Sequence, residues 1–323
     1  MTDEKATEDS DISSPRAILY DASGHDRECD LREVNFQQLG KEQLLWIHLS
    51  TLSATDVASL PDELRASVGQ FGEIGGIELF DDFYRFTIPL PDKDATYLQF
   101  VVGKSWVVTI SEHRPDFFDK WIEADQGETL KGRLTSTAFT AALLMRHFEA
   151  FREQIASIDI SIDRLDDTIM TSREKRSPLM TLAALRRHLS RLRVVLKDHR
   201  GVVRGLIGPE FQSQVAVSDK EPLVEVNRMF ERLEDDVSRA RETVIGSFEL
   251  YSSRVAQDTN QLIKILTVAT VITGIIGAVA GIFGMNFDTP MAHSGLQGFL
   301  IVTGLLIASS ILFVAVAVAR RWV

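Results

Sequence analysis

Cysteine is almost absent from this chain, with Cys29 the single example. One thiol excludes an internal disulfide and fits a reducing cytosol. A basic excess is missing too: 35 Lys and Arg stand against 46 Asp and Glu, a formal net charge of −11. That balance argues against nucleic acid as a partner, because a phosphate-binding surface shows as surplus positive charge. There is no Gly-rich phosphate loop, no zinc-protease helix and no nucleophile elbow, and Cys29 sits in a turn-like segment with only His25 nearby. An enzyme is therefore disfavoured.

Charge is also missing from two stretches near the C-terminus, Ile265 to Phe283 and Leu296 to Ala319. At about 1.5 Å per helical residue, runs of about 19 and 24 residues match a hydrocarbon core of about 30 Å. These runs predict a membrane-spanning helical hairpin. Arg254 and Lys264 precede the first run, Arg320 and Arg321 follow the second, and the connector holds neither Lys nor Arg. The positive-inside rule then predicts cytoplasmic termini and a multi-pass protein of the cytoplasmic membrane. Met1 to Pro15 is acidic and polar, which predicts a disordered tail at 1–15 and no signal peptide.

The segment 16–134 is rich in β-branched and aromatic runs bounded by Gly, Pro, Asp and Ser: Arg16 to Tyr20, Leu44 to Leu49, Phe83 to Leu90, Tyr97 to Val102 and Trp106 to Ser111. These predict strands, with a hairpin turn at Gly103-Lys104-Ser105 and helices at Ser53 to Val68 and Phe117 to Gln126. The expected fold is an α/β or α+β domain with a mixed sheet. From 135 to 261 the pattern changes to long amphipathic helices, about Thr135 to Arg173, Pro178 to Arg204 and Glu221 onward. Proline is absent between Pro222 and Phe283, and Gly246 is the only glycine before the membrane, so one helix is expected to run unbroken into the hairpin of 262–323. A helix of that length calls for a bundle, hence a homo-oligomer.

A heptad count along that helix collects Asn260, Ile263, Thr267, Thr270, Gly274, Gly277, Gly281 and Gly284 on one face. Small residues, hydroxyls and an amide suit a water-filled path for a partly hydrated cation. Gly277-xxx-Gly281 equally suits helix packing, which implies no transport. Neither apolar run contains an ionisable group, which favours a passive path over proton coupling through the membrane.

Gly284-Met285-Asn286 closes the first run, preceded by Gly281-Ile282-Phe283 and followed by Phe287. At that position it resembles the signature of the CorA family of divalent-cation channels. The stretch Thr259 to Thr267, the tail Arg320-Arg321-Trp322-Val323 and the strand Leu45-Trp46-Ile47-His48-Leu49 are similar to further parts of that family. The resemblance implies a funnel-shaped homopentamer with cytosolic α/β domains, a helical stalk and one central pore. It places a selecting ring at Gly284, Met285 and Asn286, and the cytosolic narrowing at Asn260, Ile263 and Leu266. Divalent cations are then cargo, with no resident cofactor.

Two departures stand out. The connector carries Asp288 and His293 where magnesium-type members have an acidic Met-Pro-Glu-Leu segment, and Ile275 and Gly277 stand where they have Pro and Thr. Both features resemble the zinc-transporting ZntB branch, so zinc is the expected ion, with magnesium, cobalt and nickel as alternatives. A single loop histidine is nevertheless a weak zinc ligand, because a closed site wants several N or S donors. Two acidic blocks, Asp159, Asp163, Asp166 and Asp167, then Glu231, Glu234, Asp235 and Asp236, flank a basic helix. They admit two readings, interhelical ion pairing or a regulatory cation site between subunits. A non-conducting membrane sensor or scaffold is the alternative to transport.

Overall fold

The computed structural model describes residues 16–30, 39–49, 60, 64–65, 68, 72, 74–91, 96–123, 130–171, 176–284 and 295–319. The chain divides into two compact units, one made of Met1–Arg164 with Thr181–Ile245, the other of Leu165–Met180 with Gly246–Val323.

In the first unit the described strands are β1 (Arg16–Asp21), β2 (Arg27–Cys29), β3 (Gln43–Leu49), β4 (Ile77–Leu79), β5 (Tyr84–Pro89), β6 (Tyr97–Val102) and β7 (Trp106–Ser111). They form one mixed sheet in the order β2-β1-β3-β7-β6-β5-β4, in which only β3 and β7 pair in parallel. Six of the seven β3 residues are buried, because both faces of the sheet are covered. Leu45, Ile47, Leu49, Val108 and Ile110 point to one face and pack with Leu60, Leu64 and Val68. The remainder of the expected helix at Ser53 to Val68 lies outside the described residues.

The opposite face carries Tyr20, Trp46, His48, Phe86 and Phe100, all buried. It is covered by α1 (Asp116–Glu123) and by the start of α2 (Ser136–Thr171). Phe139 of α2 is the hub, with ring centroids 5.4 Å from Tyr20, 5.9 Å from Trp46 and 5.7 Å from Trp121. Thr135 starts α2 as its cap, its Oγ1 accepting the Ala138 N–H at 3.0 Å while donating to Asp219 Oδ1 at 2.7 Å.

Three long helices follow: α2, α3 (Arg176–Ile207) and, after a short α4 (Pro209–Gln212), α5 (Val217–Gly284). Within the first unit α5 buries Leu223, Val226, Phe230, Leu233, Val237, Ala240 and Val244. This alternating three-four spacing matches Leu144, Phe148, Phe151, Ile155, Ile158 and Ile162 on α2, and Leu189, Leu192, Leu196, His199 and Val203 on α3. Gly201 lets α3 approach the turn before β4 so closely that a Cβ would overlap the Gly75 carbonyl.

Two histidines sit inside this helical seam. His199 Nδ1–H donates to the Val195 carbonyl at 2.8 Å, so its Nε2 accepts from His147 Nε2–H at 2.9 Å. His147 Nδ1 has no hydrogen-bond partner among the described residues. Burial holds His147 well below the usual imidazole range, with the His199 side chain adding to the effect, and holds His199 at about 4. On the sheet, burial and then the Arg114 charge hold His48 at about 4 as well.

Several details depart from the sequence-based expectation. Cys29 belongs to strand β2 and not to a turn, and β4 has no counterpart among the expected strands. Helix α5 begins at Val217, ahead of Pro222, which stands inside its second turn.

Removing the hub ring in Phe139→Ala should destabilise the first unit by about 3–5 kcal/mol. Urea unfolding followed by tryptophan fluorescence reads this directly, since Trp46 and Trp121 both touch Phe139. Exposed Val217→Ala should change stability by no more than about 0.5 kcal/mol in the same assay. For the histidines, the folded state stays neutral while the unfolded chain takes up protons below the ordinary value of 6.5, so stability falls as the pH drops from 6.5 toward about 4. Tm measured across that window should decline, and His147→Leu with His199→Leu should flatten the slope; a flat profile in the parent protein would contradict this account.

Candidate pore face and its relatives

In the second unit the described helical segments are the end of α2, the start of α3, the C-terminal part of α5 and α6 (Gly295–Ala319). Both α5 and α6 are long and apolar enough to cross a membrane. At about 100° per residue, Asn260, Ile263, Leu266, Thr267, Thr270, Gly274, Gly277, Gly281 and Gly284 fall within an arc of about 120°. All nine are exposed. The partly covered positions Val268, Ile272 and Val279 lie on the other side of the same helix.

This separation bears on the packing reading of the glycines. A Cβ added at Gly274, Gly277, Gly281 or Gly284 would meet nothing within 4 Å. Within one chain, therefore, no described residue uses these glycines for close approach. The face is left for a lumen, for another copy or for lipid.

Its chemistry is one-sided. Thr267 Oγ1 donates to the Ile263 carbonyl and Thr270 Oγ1 to the Leu266 carbonyl, each at 2.8 Å. With their hydrogens committed to the preceding turn, the hydroxyls present lone pairs outward. Ahead of the apolar run Arg254 and Asp258 form an ion pair, 3.7 Å between Nε and Oδ1. Of the expected selecting ring, Gly284 ends α5, whereas Met285 and Asn286 lie outside the described residues, as do Asp288 and His293.

The acidic residues separate into different settings. Asp159 and Asp163 line a groove of about 710 Å³ between α2 and α5, together with Asp236 of α5. Burial raises the Asp159 carboxyl above its ordinary value, and the neighbouring Asp163 and Asp236 charges raise it further. Asp236 itself pairs with Arg152 at 3.4 Å and with Arg239. Glu234 accepts from Arg200 Nε at 3.0 Å, Glu231 accepts from Asn227 Nδ2 at 2.9 Å, and Asp235 is exposed. Asp166 and Asp167 belong to the second unit. Among the described residues of one chain, no three His, Cys, Asp or Glu side chains form a metal-holding group. Sequence grouping by charge placed Asp236 beside Asp235, and only helix phase separates the groove residue from the exposed one.

The family model for the CorA-like Mg2+ transporter protein matches residues 41–320. The chain belongs to that family. Among curated relatives, the cobalt/magnesium transport protein CorA of Thermotoga maritima is 21% identical over 297 residues, covering 86% of this chain and 83% of the relative. Among solved structures, the complete CorA magnesium transporter from Methanocaldococcus jannaschii aligns with a TM-score of 0.75 at 22% identity, covering 95% of this chain and 98% of that one. The ZntB cytoplasmic domain from Vibrio parahaemolyticus RIMD 2210633 aligns with a TM-score of 0.51 at 11% identity, covering 76% of this chain and 99% of that domain. This CorA-family chain is thus a divalent-cation transporter with two candidate spans and not an anchored enzyme.

A lumen-facing glycine and a packing glycine respond differently to a large side chain. Gly277→Leu should leave the helix content and oligomeric state of this CorA-family protein unchanged while cutting divalent uptake by roughly tenfold or more. Circular dichroism and light scattering beside a flux assay separate the cases, since a packing glycine would instead lose the oligomer.

Proposed function

We propose that this protein conducts hydrated divalent cations across the cytoplasmic membrane through a central pore of a homopentamer, with both termini cytoplasmic. The observation that carries the reading is the uncovered face of α5, where threonine lone pairs and glycine backbone line an arc that no other described residue approaches. Oxygen acceptors without a charge suit an ion that keeps its water, because binding stays weak enough for release. The ring of Asn286 amides at the outer end, next to Gly284 and Met285, then selects the hydrated ion. Passive entry is downhill, since the membrane potential contributes about 2.3 kcal/mol per charge per 100 mV.

Magnesium and cobalt fit this surface best, for the described part of the stripe offers oxygen donors and no nitrogen or sulfur beyond the Asn260 amide. They are also the ions named for the curated relatives. Zinc is the second reading, supported by His293 and by the connector's single acid, Asp288. The cation is cargo, and the reading requires no resident cofactor.

Proteoliposomes holding the purified protein and a metal-sensitive dye should take up divalent ions, with Asn286→Ala abolishing flux. Comparing magnesium, cobalt, nickel and zinc assigns the order. Uptake indistinguishable in the variant, or none at all through folded oligomers, would replace transport with a sensor or scaffold role.

A further inference from the structure

Helix α5 separates two grooves of opposite charge in the first unit. On one flank, between α2 and α5, Glu149, Glu153, Asp159, Asp163 and Asp236 line the groove of about 710 Å³. Glu149 is paired with Arg146, Glu153 with Lys120, and Asp236 with Arg152 and Arg239, which leaves Asp159 and Asp163 without an ion pair among the described residues. On the other flank, between α3 and α5, a groove of about 650 Å³ is lined by Arg193, Lys197, Arg200 and Arg241, with Glu234 its single carboxylate. Glu234 is taken by Arg200, and Arg193, Lys197 and Arg241 have no ion-pair partner among the described residues. The acidic groove keeps two unpaired carboxylates, Asp159 and Asp163, and the basic groove three unpaired cations.

Their placement on α5 is as informative as their charge. Glu234, Ser238 and Arg241 line the basic groove, while Asp236, Arg239 and Thr243 line the acidic one. At about 100° per residue the two sets lie about 180° apart on the helix. They also occupy the same two turns. A rotation about an axis parallel to a helix preserves height along it, so a head-to-tail contact in a ring must join two different patches at one level. Equal level, opposite flanks and opposite charge are what such a contact needs.

We infer that the basic α3/α5 groove of one copy docks on the acidic α2/α5 groove of the next, making this the head-to-tail contact of the assembly. The inference rests on the homo-oligomer proposed above. It also accounts for the excess charge: Asp159 and Asp163, which form no ion pair among the described residues, receive Arg193, Lys197 and Arg241 from a neighbour. Desolvating these pairs together sets the register of the ring, and like-charged grooves repel any other pairing.

The test uses the full-length protein in detergent with Cys29→Ser, so that introduced thiols are the only ones. Exposed Ala156→Cys lies in the acidic groove and exposed Val194→Cys in the basic one. Treated with a short bis-maleimide, chains carrying both thiols should give a ladder up to the complete ring, and co-expressed single-cysteine chains should give dimers only when the two kinds are mixed. Arg193→Glu with Lys197→Glu should abolish the ladder, and adding Asp159→Lys with Asp163→Lys in the same chain should restore it. An oligomer intact by light scattering that yields no mixed dimer overturns the docking while leaving the oligomer standing. A monomer by light scattering overturns both.

Discussion

Burial of one edge of α5 is the interaction on which the molecule depends. A 68-residue helix cannot hold itself in place, and most of its length beyond Ile245 is exposed among the described residues. What fixes it is the seam from Leu223 to Val244, seven buried positions meeting the matching seams of α2 and α3. Helix α2 is in turn tied to the sheet through Phe139, and the start of α5 to the start of α2 through the bond from Thr135 to Asp219. The residues of the proposed pore face continue on this same helix, because between Gly246 and Gly284 no proline interrupts the backbone.

The seam also explains why charge is so unevenly spread over α5. Its apolar edge is spent on α2 and α3, so the polar remainder lies in two flanking strips and one outward face. The strips acquire their sign from whichever neighbour they border, acidic beside α2 and basic beside α3. Buried histidines interrupt the α2–α3 contact at His147 and His199, where Phe148, Phe151 and Phe117 surround the pair. A neutral hydrogen-bonded imidazole pair fills the volume of two aromatic rings, so the site behaves as core at neutral pH.

Much of this was legible in the sequence wherever a pattern is long. The strands with six or seven residues, the hairpin at Gly103 and the long helices follow from periodicity, and each observed end lies within a few residues of expectation. Strands β2 and β4 were missed because three residues cannot display an alternation, and both depend on pairing to an adjacent longer strand. The helix start at Val217 was missed because Pro222 reads as a boundary when the Asp219–Thr135 bond that secures the preceding turn is not visible. The heptad stripe itself was legible as a set of positions sharing one helix face, but not that its glycines are approached by no other described residue of the chain. That depends on where α6 lies, which no local pattern encodes.

In the proposed pore, the back-bonded threonines carry a consequence for the sign of the permeating ion. With Thr267 and Thr270 donating to carbonyls of their own helix, these two positions offer a visitor oxygen lone pairs and no hydroxyl hydrogens. Anions would find nothing to solvate them there, whatever the membrane potential. Such exclusion comes from the direction in which hydrogens point, not from fixed charge, so neither ionic strength nor pH should erode it.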